Sequence, residues 1–116
     1  MQLTTEKVAE FIGGDMEIQN PGEDYLYRGP IKAATVEGDD VKVEFKWLAK
    51  NNGGSNSPTP EWTKDERLYY AASLQIYAVS EIGMGRICLS SMIVGETVVL
   101  FPPSGEKLDP SRVAGL

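Results

Sequence analysis

Strict alternation of apolar and polar side chains over residues 41–47 is the feature that most constrains the fold of this chain. Its members are Val41, Val43, Phe45 and Trp47 on one side and Lys42, Glu44 and Lys46 on the other. Successive side chains of a β-strand point to opposite faces, so the apolar set shares one face. A strand with one wet face belongs to an antiparallel sheet that covers a core. The segment therefore predicts a half-buried antiparallel strand with all four apolar side chains in the core.

The same period, punctuated by turn residues, divides the chain into six predicted strands. Their ranges are about 15–19, 25–37, 41–50, 70–82, 86–93 and 97–101. Gly38-Asp39-Asp40 and Gly83-Met84-Gly85 are typical of tight turns between antiparallel strands. The stretch 65–82 is ambiguous, because its first residues also resemble the start of a helix. Its alternation and aromatic content favour a strand from about Tyr70.

The predicted strand 25–37 changes its apolar phase part-way along. Tyr25, Tyr27 and Ile31 are odd-numbered, whereas Ala34 and Val36 are even-numbered. A change of phase requires an inserted residue, which a β-bulge provides. Proline cannot donate to a strand ladder, so we place the bulge or bend at Gly29-Pro30.

Three further segments complete the local predictions. Residues 4–12 predict a short helix that Thr4 caps, with Val8, Phe11 and Ile12 on its buried face. Residues 51–60 consist of Asn, Gly, Ser, Thr and Pro and predict a long mobile loop. Residues 109–112, Asp-Pro-Ser-Arg, predict a single capped helical turn, with Leu108, Val113 and Leu116 able to pack back.

The chain length of 116 residues accommodates one core, so residues 1–116 are expected to form a single domain. Five or six strands joined by tight turns form an antiparallel meander. A flat sheet of that size would leave two open edges, which curling relieves. We therefore expect a mainly β fold, namely a small, partly open antiparallel β-barrel of five to six strands with a short N-terminal helix.

One part of the chain resembles a known class of fold. Tyr27-Arg28-Gly29 through Ile31, followed by 36–47, is similar to the first hairpin of Tudor-like and Src-homology-3-like barrels. That resemblance implies a binding module, although folds of this kind carry many functions. The segments 51–67 and 70–82 have no counterpart in it.

Composition argues against several classes of function. The chain has no histidine, and Cys88 is its only cysteine, which removes histidine-based catalysis, histidine zinc sites and multi-cysteine metal clusters. Its carboxylate doublets lie in predicted turns. We therefore expect no catalytic residue, no bound metal and no cofactor, and hence a protein that is not an enzyme.

The charge balance and the hydropathy pattern concern partners and location. Seventeen acidic against eleven basic residues give a formal net charge of −6, which disfavours binding to nucleic acid and to anionic membranes. No apolar run approaches the ~20 residues that a membrane-spanning helix needs. The N-terminus lacks the pattern of a signal peptide, and a lone cysteine fits a reducing compartment. A cytoplasmic protein is the expectation.

Aromatic residues outside the predicted core supply the candidate binding site: Trp62, Tyr69, Tyr70, Tyr25 and Tyr27. If the barrel closes, these rings can line one rim, where a cationic or proline-rich peptide fits. The alternative is that they cover the open end of the barrel. The leading prediction is a non-enzymatic module for a protein or peptide partner. The alternatives are a structural subunit that forms homo-oligomers through strand edges and a nucleic-acid-associated Tudor-like domain.

Overall fold

The computed structural model describes residues 3–19, 26–51, 62–65, 71–91 and 97–116. Within them the fold is mainly β, with one short α-helix, α1 (Thr5–Ala9), and one sheet of nine strands. The strands are β1 (Asp15–Gln19), β2 (Leu26–Glu37), β3 (Asp40–Phe45), β4 (Ala49–Asn51), β5 (Trp62–Lys64), β6 (Ala71–Gly83), β7 (Arg86–Ser91), β8 (Thr97–Leu100) and β9 (Val113–Ala114). A 3-10 turn, Pro110–Arg112, precedes β9. The predictions of a mainly β fold and a short N-terminal helix are confirmed.

Hydrogen-bonded neighbours run through the sheet in the order β1-β8-β7-β6-β3-β2-β4-β5-β9. Because β1 also pairs with β2, six strands (β1, β2, β3, β6, β7 and β8) each have two antiparallel neighbours among them. The other three strands, β4, β5 and β9, extend the sheet past β2 and are called the spur below. The sheet ends on β9 and is not closed as a whole. The sheet has more strands than the five to six predicted, because the predicted strand 41–50 is divided into β3 and β4 and because β5 and β9 are too short to show alternation. A barrel of five to six strands is not confirmed.

The main core is a cluster of apolar side chains from α1 and from the strands. It consists of Val8, Phe11, Met16, Ile18, Tyr27, Ile31, Ala34, Val41, Val43, Phe45, Leu48, Ile87, Leu89, Val98 and Leu100. Val41, Val43 and Phe45 occupy it as predicted. Trp47 is only half-buried, which corrects its assignment to the core, and Leu48 is buried instead. The predicted strand 41–50 breaks after Phe45, and the break shifts the buried phase by one residue.

β2 is a long strand that serves two sets of neighbours. Residues 26–30 pair with β1 and 26–28 also with β4, whereas 31–37 pair with β3. The register shifts between Ile31 and Ala33, so the predicted change of phase is present but lies at Lys32, not at Gly29-Pro30. Gly29 has a different role: a Cβ there would lie 2.1 Å from the Trp47 carbonyl oxygen. Its missing side chain lets the two backbones approach.

β6 settles the ambiguity over residues 71–83 in favour of a strand. Its first half, 71–75, pairs with β3, and its second half pairs with β7 from Ile76 to Gly83. Residues 66–70 lie outside the described residues, as does the predicted loop 51–60 apart from Asn51. No helix in the described ranges is long and apolar enough to cross a membrane.

α1 packs against the edge of β2. The Thr4 side chain accepts a hydrogen bond from the Lys7 amide at 3.1 Å, which confirms the predicted cap. The Thr5 hydroxyl donates to the Val36 carbonyl at 3.2 Å and accepts from the Val36 amide at 3.0 Å. The helix ends at Ala9, earlier than predicted, so Ile12 leaves the buried face and is 40% exposed. This correction follows from a tighter last turn, in which the amides of residues 10–12 each bond to the carbonyl three residues back, before the left-handed exit at Gly13 (φ +91°).

Candidate functional site

Two of the five predicted aromatic site residues lie in the described part of the chain, and they lie on opposite faces of the sheet. Tyr27 is 9% exposed and belongs to the main core, opposite Lys50. Trp62 is half-buried and pairs with Asn51, one position further along. Because alternate positions face opposite ways, Trp62 points away from the face that Tyr27 occupies. Tyr25, Tyr69 and Tyr70 lie outside the described residues.

Trp62 therefore lies on the outer face of the spur, the face turned away from the main core. Its partner across β4 is Asn51, which is 2% exposed, and its partner across β9 is Val113, which is 5% exposed. Lys64 shares this face two residues along the strand. The outer face of the spur thus combines a half-buried indole with a buried amide and a buried aliphatic side chain.

The C-terminal segment, residues 101–114, passes over Arg28 of β2, on the same side of the sheet, and ends in β9 of the spur. Ala49, Phe101 and Val113 are buried but lie outside the main core cluster. Beneath the segment Arg28 is 8% exposed, and its guanidinium lies over the Phe101 ring at 4.1 Å from the centroid. A buried arginine in a strand leaves no periodic signal, so the pattern of residues does not predict this position of Arg28.

Each of the three guanidinium nitrogens of Arg28 has a hydrogen-bond or ion-pair partner. Its Nε donates to Asp15 Oδ2 at 2.9 Å, and one terminal nitrogen donates to the Glu106 carbonyl at 3.0 Å. The other terminal nitrogen lies 3.5 Å from Glu17 Oε2. Asp15, 2% exposed, also accepts from the Leu108 amide at 2.7 Å. The cluster therefore fastens the C-terminal segment to β1 and β2.

Glu17 is the titratable group that this arrangement perturbs. Partial burial raises the pKa of its carboxyl above the usual value, and the nearby charges of Glu106 and Asp15 act in the same direction. The Arg28 charge opposes that shift. The carboxyl is 26% exposed and belongs to the Arg28 cluster, so its raised pKa is a consequence of packing in that cluster. Among the residues that the structure describes, no group of three or more His, Cys, Asp or Glu is placed to hold a metal.

A second surface surrounds the tip of the β6–β7 hairpin. Met84 is 87% exposed there and adopts a left-handed backbone conformation, with φ +57°. Its neighbour Gly85 also has a positive φ, +75°, so both central turn residues are left-handed, as in type I′ turns. Such turns favour asparagine or glycine, because a Cβ in this conformation is strained. A methionine at this position therefore raises the conformational energy of the turn, and its side chain is exposed.

Two depressions adjoin the hairpin tip and share Arg86 as a wall. The smaller, about 60 Å³, is lined by Met84, Arg86, Phe101, Pro102, Gly105 and Glu106. The larger, about 200 Å³, is lined by Lys7, Glu81, Gly83, Gly85, Arg86 and Ile87. Pro102, in the wall of the smaller depression, packs closely against Gly85 and Gly105. A Cβ added at either glycine would lie 3.1 or 3.2 Å from the proline ring, so the missing side chains allow this packing. The sequence predicted the turn but not these depressions, which bring residues 84–86 and 101–106 together.

Comparison of the chain with protein-family models, with curated proteins and with solved structures gives no match.

Proposed function

We propose that this protein is a small β-barrel binding module that takes an extended segment of a protein partner along the spur. The pairing of β1 with both β8 and β2 supports the barrel, because the succession of antiparallel neighbours returns to the strand where it began. A sheet of this kind encloses the main core within six strands. The spur is then the part of the sheet that lies outside the barrel.

The observation that carries the proposal is the way the sheet ends. β9 has two residues, pairs with β5 in parallel, and has no further strand beside it among the described residues. The outward amide and carbonyl groups of an end strand are a template for another chain. Addition of a peptide strand to such an edge is a common mode of recognition, in which backbone hydrogen bonds supply affinity.

Trp62 gives this edge its side-chain selectivity. In a strand added beside β9, every second side chain points to the outer face, next to Val113 and one strand away from Trp62. The indole and the aliphatic side chain favour an apolar residue there. The peptide is therefore an extended one with apolar residues at alternate positions.

The substitution Trp62→Ala tests the proposal with peptides selected from a random library against the wild-type protein. We expect selected peptides to bind the variant at least tenfold more weakly, which is about 1.4 kcal/mol. The melting temperature should fall by less than about 2 °C, since a stability loss of 1 kcal/mol would lower it by several degrees. Fluorescence polarisation measures the affinity, and differential scanning fluorimetry measures the melting temperature.

The matched control is Thr63→Val, which changes the neighbouring residue of β5 on the opposite face and should leave peptide affinity unchanged. Backbone amide shifts should change at Val113 and Ala114 when the peptide binds. The proposal is wrong if no peptide is selected, if Trp62→Ala binds as well as wild type, or if the shifted amides lie away from the spur. A fall of several degrees in Trp62→Ala would instead show that the indole is a structural anchor.

A further inference from the structure

The tip of the β6–β7 hairpin combines features that fit one another if the surface meets a copy of itself. Met84 and Ile82 project from it, 87% and 39% exposed, and form an apolar protrusion. The depression of about 60 Å³ beside Met84 has Phe101 and Pro102 in its wall, so an apolar receptor lies next to the protrusion. A protrusion and a receptor on one patch suit two-fold symmetry, in which the same surface serves both partners.

The hairpin tip also carries the two opposite charges that a two-fold contact between copies can pair. Arg86 and Glu106 both line the depression and carry opposite charges. The Glu106 carboxylate makes no ion pair within the described residues; its backbone carbonyl is the group that binds Arg28. Arg86 uses Nε and one terminal nitrogen on the Gly83 and Ile82 carbonyls, which holds its guanidinium at the rim. Across a two-fold axis, Arg86 of each copy can meet Glu106 of the other.

The backbone of Met84 is an independent observation that points to a contact. A non-glycine residue with φ +57° bears strain, and the Met84 side chain, 87% exposed, is too little buried within its own chain to offset that strain. Asparagine would suit the turn better. The methionine is accounted for if its flexible thioether fills an apolar receptor on another molecule.

From these three features we infer that the hairpin tip is a homodimer interface, in which Met84 of each copy enters the depression beside Phe101 and Pro102 of the other. The depression is small, about 60 Å³, so we expect a weak dimer that depends on concentration, as transient interfaces of below about 1,200 Å² do. This inference does not depend on peptide binding at the spur, which lies on a separate part of the sheet.

Sedimentation velocity of the full chain at dilute and at concentrated protein tests the inference. We expect wild type to pass from monomer to dimer as concentration rises. Met84→Asn should stay monomeric at every concentration, while its melting temperature in dilute solution rises by about 2–5 °C because asparagine relieves the turn. The rise in melting temperature shows that loss of the dimer is not caused by misfolding.

A charge exchange provides the second arm. Glu106→Arg should weaken association at least tenfold, because it places two cations together across the axis. The double variant Arg86→Glu/Glu106→Arg should restore association, since it re-forms the pair with its signs exchanged. The exposed Thr97→Ala variant, in β8, is the control and should dimerise like wild type. A wild type that stays monomeric when concentrated, a dimer that survives Met84→Asn, or a charge exchange without rescue would each overturn the inference.

Discussion

Arg28 is a buried cation whose role in the fold cannot be inferred from its neighbours in sequence. It lies in a β-strand between Tyr27 and Gly29, with its guanidinium buried beneath Phe101. A buried cation is tolerable only when carboxylates and carbonyls surround it. Asp15, Glu17 and the Glu106 carbonyl meet that requirement here.

Glu17 yields a prediction about pH at the residue scale. The pKa of its carboxyl is raised in the folded protein, mainly by burial, so the folded state binds a proton more readily than the unfolded state. The stability contributed by this group is therefore fully present below the unfolded pKa. It is lost as pH rises through the folded pKa. Relative to Glu17→Gln, which cannot titrate, wild type should be most stable in acid and lose its advantage toward neutral pH.

Melting temperatures of wild type and Glu17→Gln across the acidic to neutral range measure this difference. The comparison cancels the other carboxylates, which titrate in both proteins. A difference that stays constant with pH, or one that grows as pH rises, would contradict the raised pKa.

At the scale of elements, the close crossing of β2 and the segment between β3 and β4 shapes the sheet. β3 and β4 both run beside β2, yet residues 46–48 interrupt them where Gly29 approaches the Trp47 carbonyl. The interruption moves Trp47 to a half-buried position and brings Leu48 into the core. The close approach of β2 at Gly29 therefore determines which residues between β3 and β4 are buried.

Gly29→Ala tests this crossing. The new Cβ would lie 2.1 Å from the Trp47 carbonyl oxygen, which is backbone and cannot rotate away. We expect the free energy of unfolding to fall by about 3 kcal/mol or more, as overpacking against a fixed atom requires a backbone shift. Urea denaturation monitored by tryptophan fluorescence measures the loss.

Gly38→Ala is the matched control, because Gly38 has φ +61° but no atom within 4 Å of an added Cβ. It should cost only the conformational strain, about 1–2 kcal/mol. Equal losses in the free energy of unfolding for the two variants would show that the backbone at Gly29 relaxes easily and that the close approach to Trp47 is not a fixed constraint.

At the scale of the whole molecule, the C-terminal segment forms a second layer over Arg28 and Asp15 at the start of β2 and β1. It starts at Phe101, whose amide donates to the Asp15 carbonyl at 2.8 Å, and ends in β9 on the spur. The Arg28 cluster lies between these two attachments. The position of β9, and with it the proposed peptide edge, therefore depends on a group of buried charges near β1.

Asp15→Ala should loosen this layer. It leaves the Leu108 amide without its acceptor and removes the shortest ion pair of a buried guanidinium. Breaking a buried pair on one side costs about 3–5 kcal/mol, so we expect a loss in that range. Hydrogen exchange should also accelerate at Leu108 and across β9, ahead of global unfolding.

The exposed ion pair between Lys42 and Glu37, 2.7 Å apart, provides the control. Glu37→Ala should hardly move the denaturation midpoint, because exposed pairs contribute little. If Asp15→Ala behaved like Glu37→Ala, or if β9 kept its protection in it, the buried cluster would not be what fastens the segment.

Local features of this protein followed from the sequence because they depend on neighbours along the chain. The alternation at Val41, Val43 and Phe45 identified one buried face, and the phase change in β2 indicated an inserted residue. The Thr4 cap and the turn at Gly83-Met84-Gly85 needed only side-chain chemistry within a few residues.

Tertiary structure decided the features that join distant parts of the chain. Trp62 and Tyr27 were grouped by residue type, yet strand register sets them on opposite faces. The spur, the buried Arg28 and the depression between the hairpin tip and Phe101 arise only when residues far apart in sequence meet. Alternation tells which face of a strand is apolar, but it contains no information on what will cover the polar face. In this protein the C-terminal segment covers Arg28 of β2, whereas Lys42 and Glu44 of β3 stay exposed. Both proposed interaction surfaces lie along that segment.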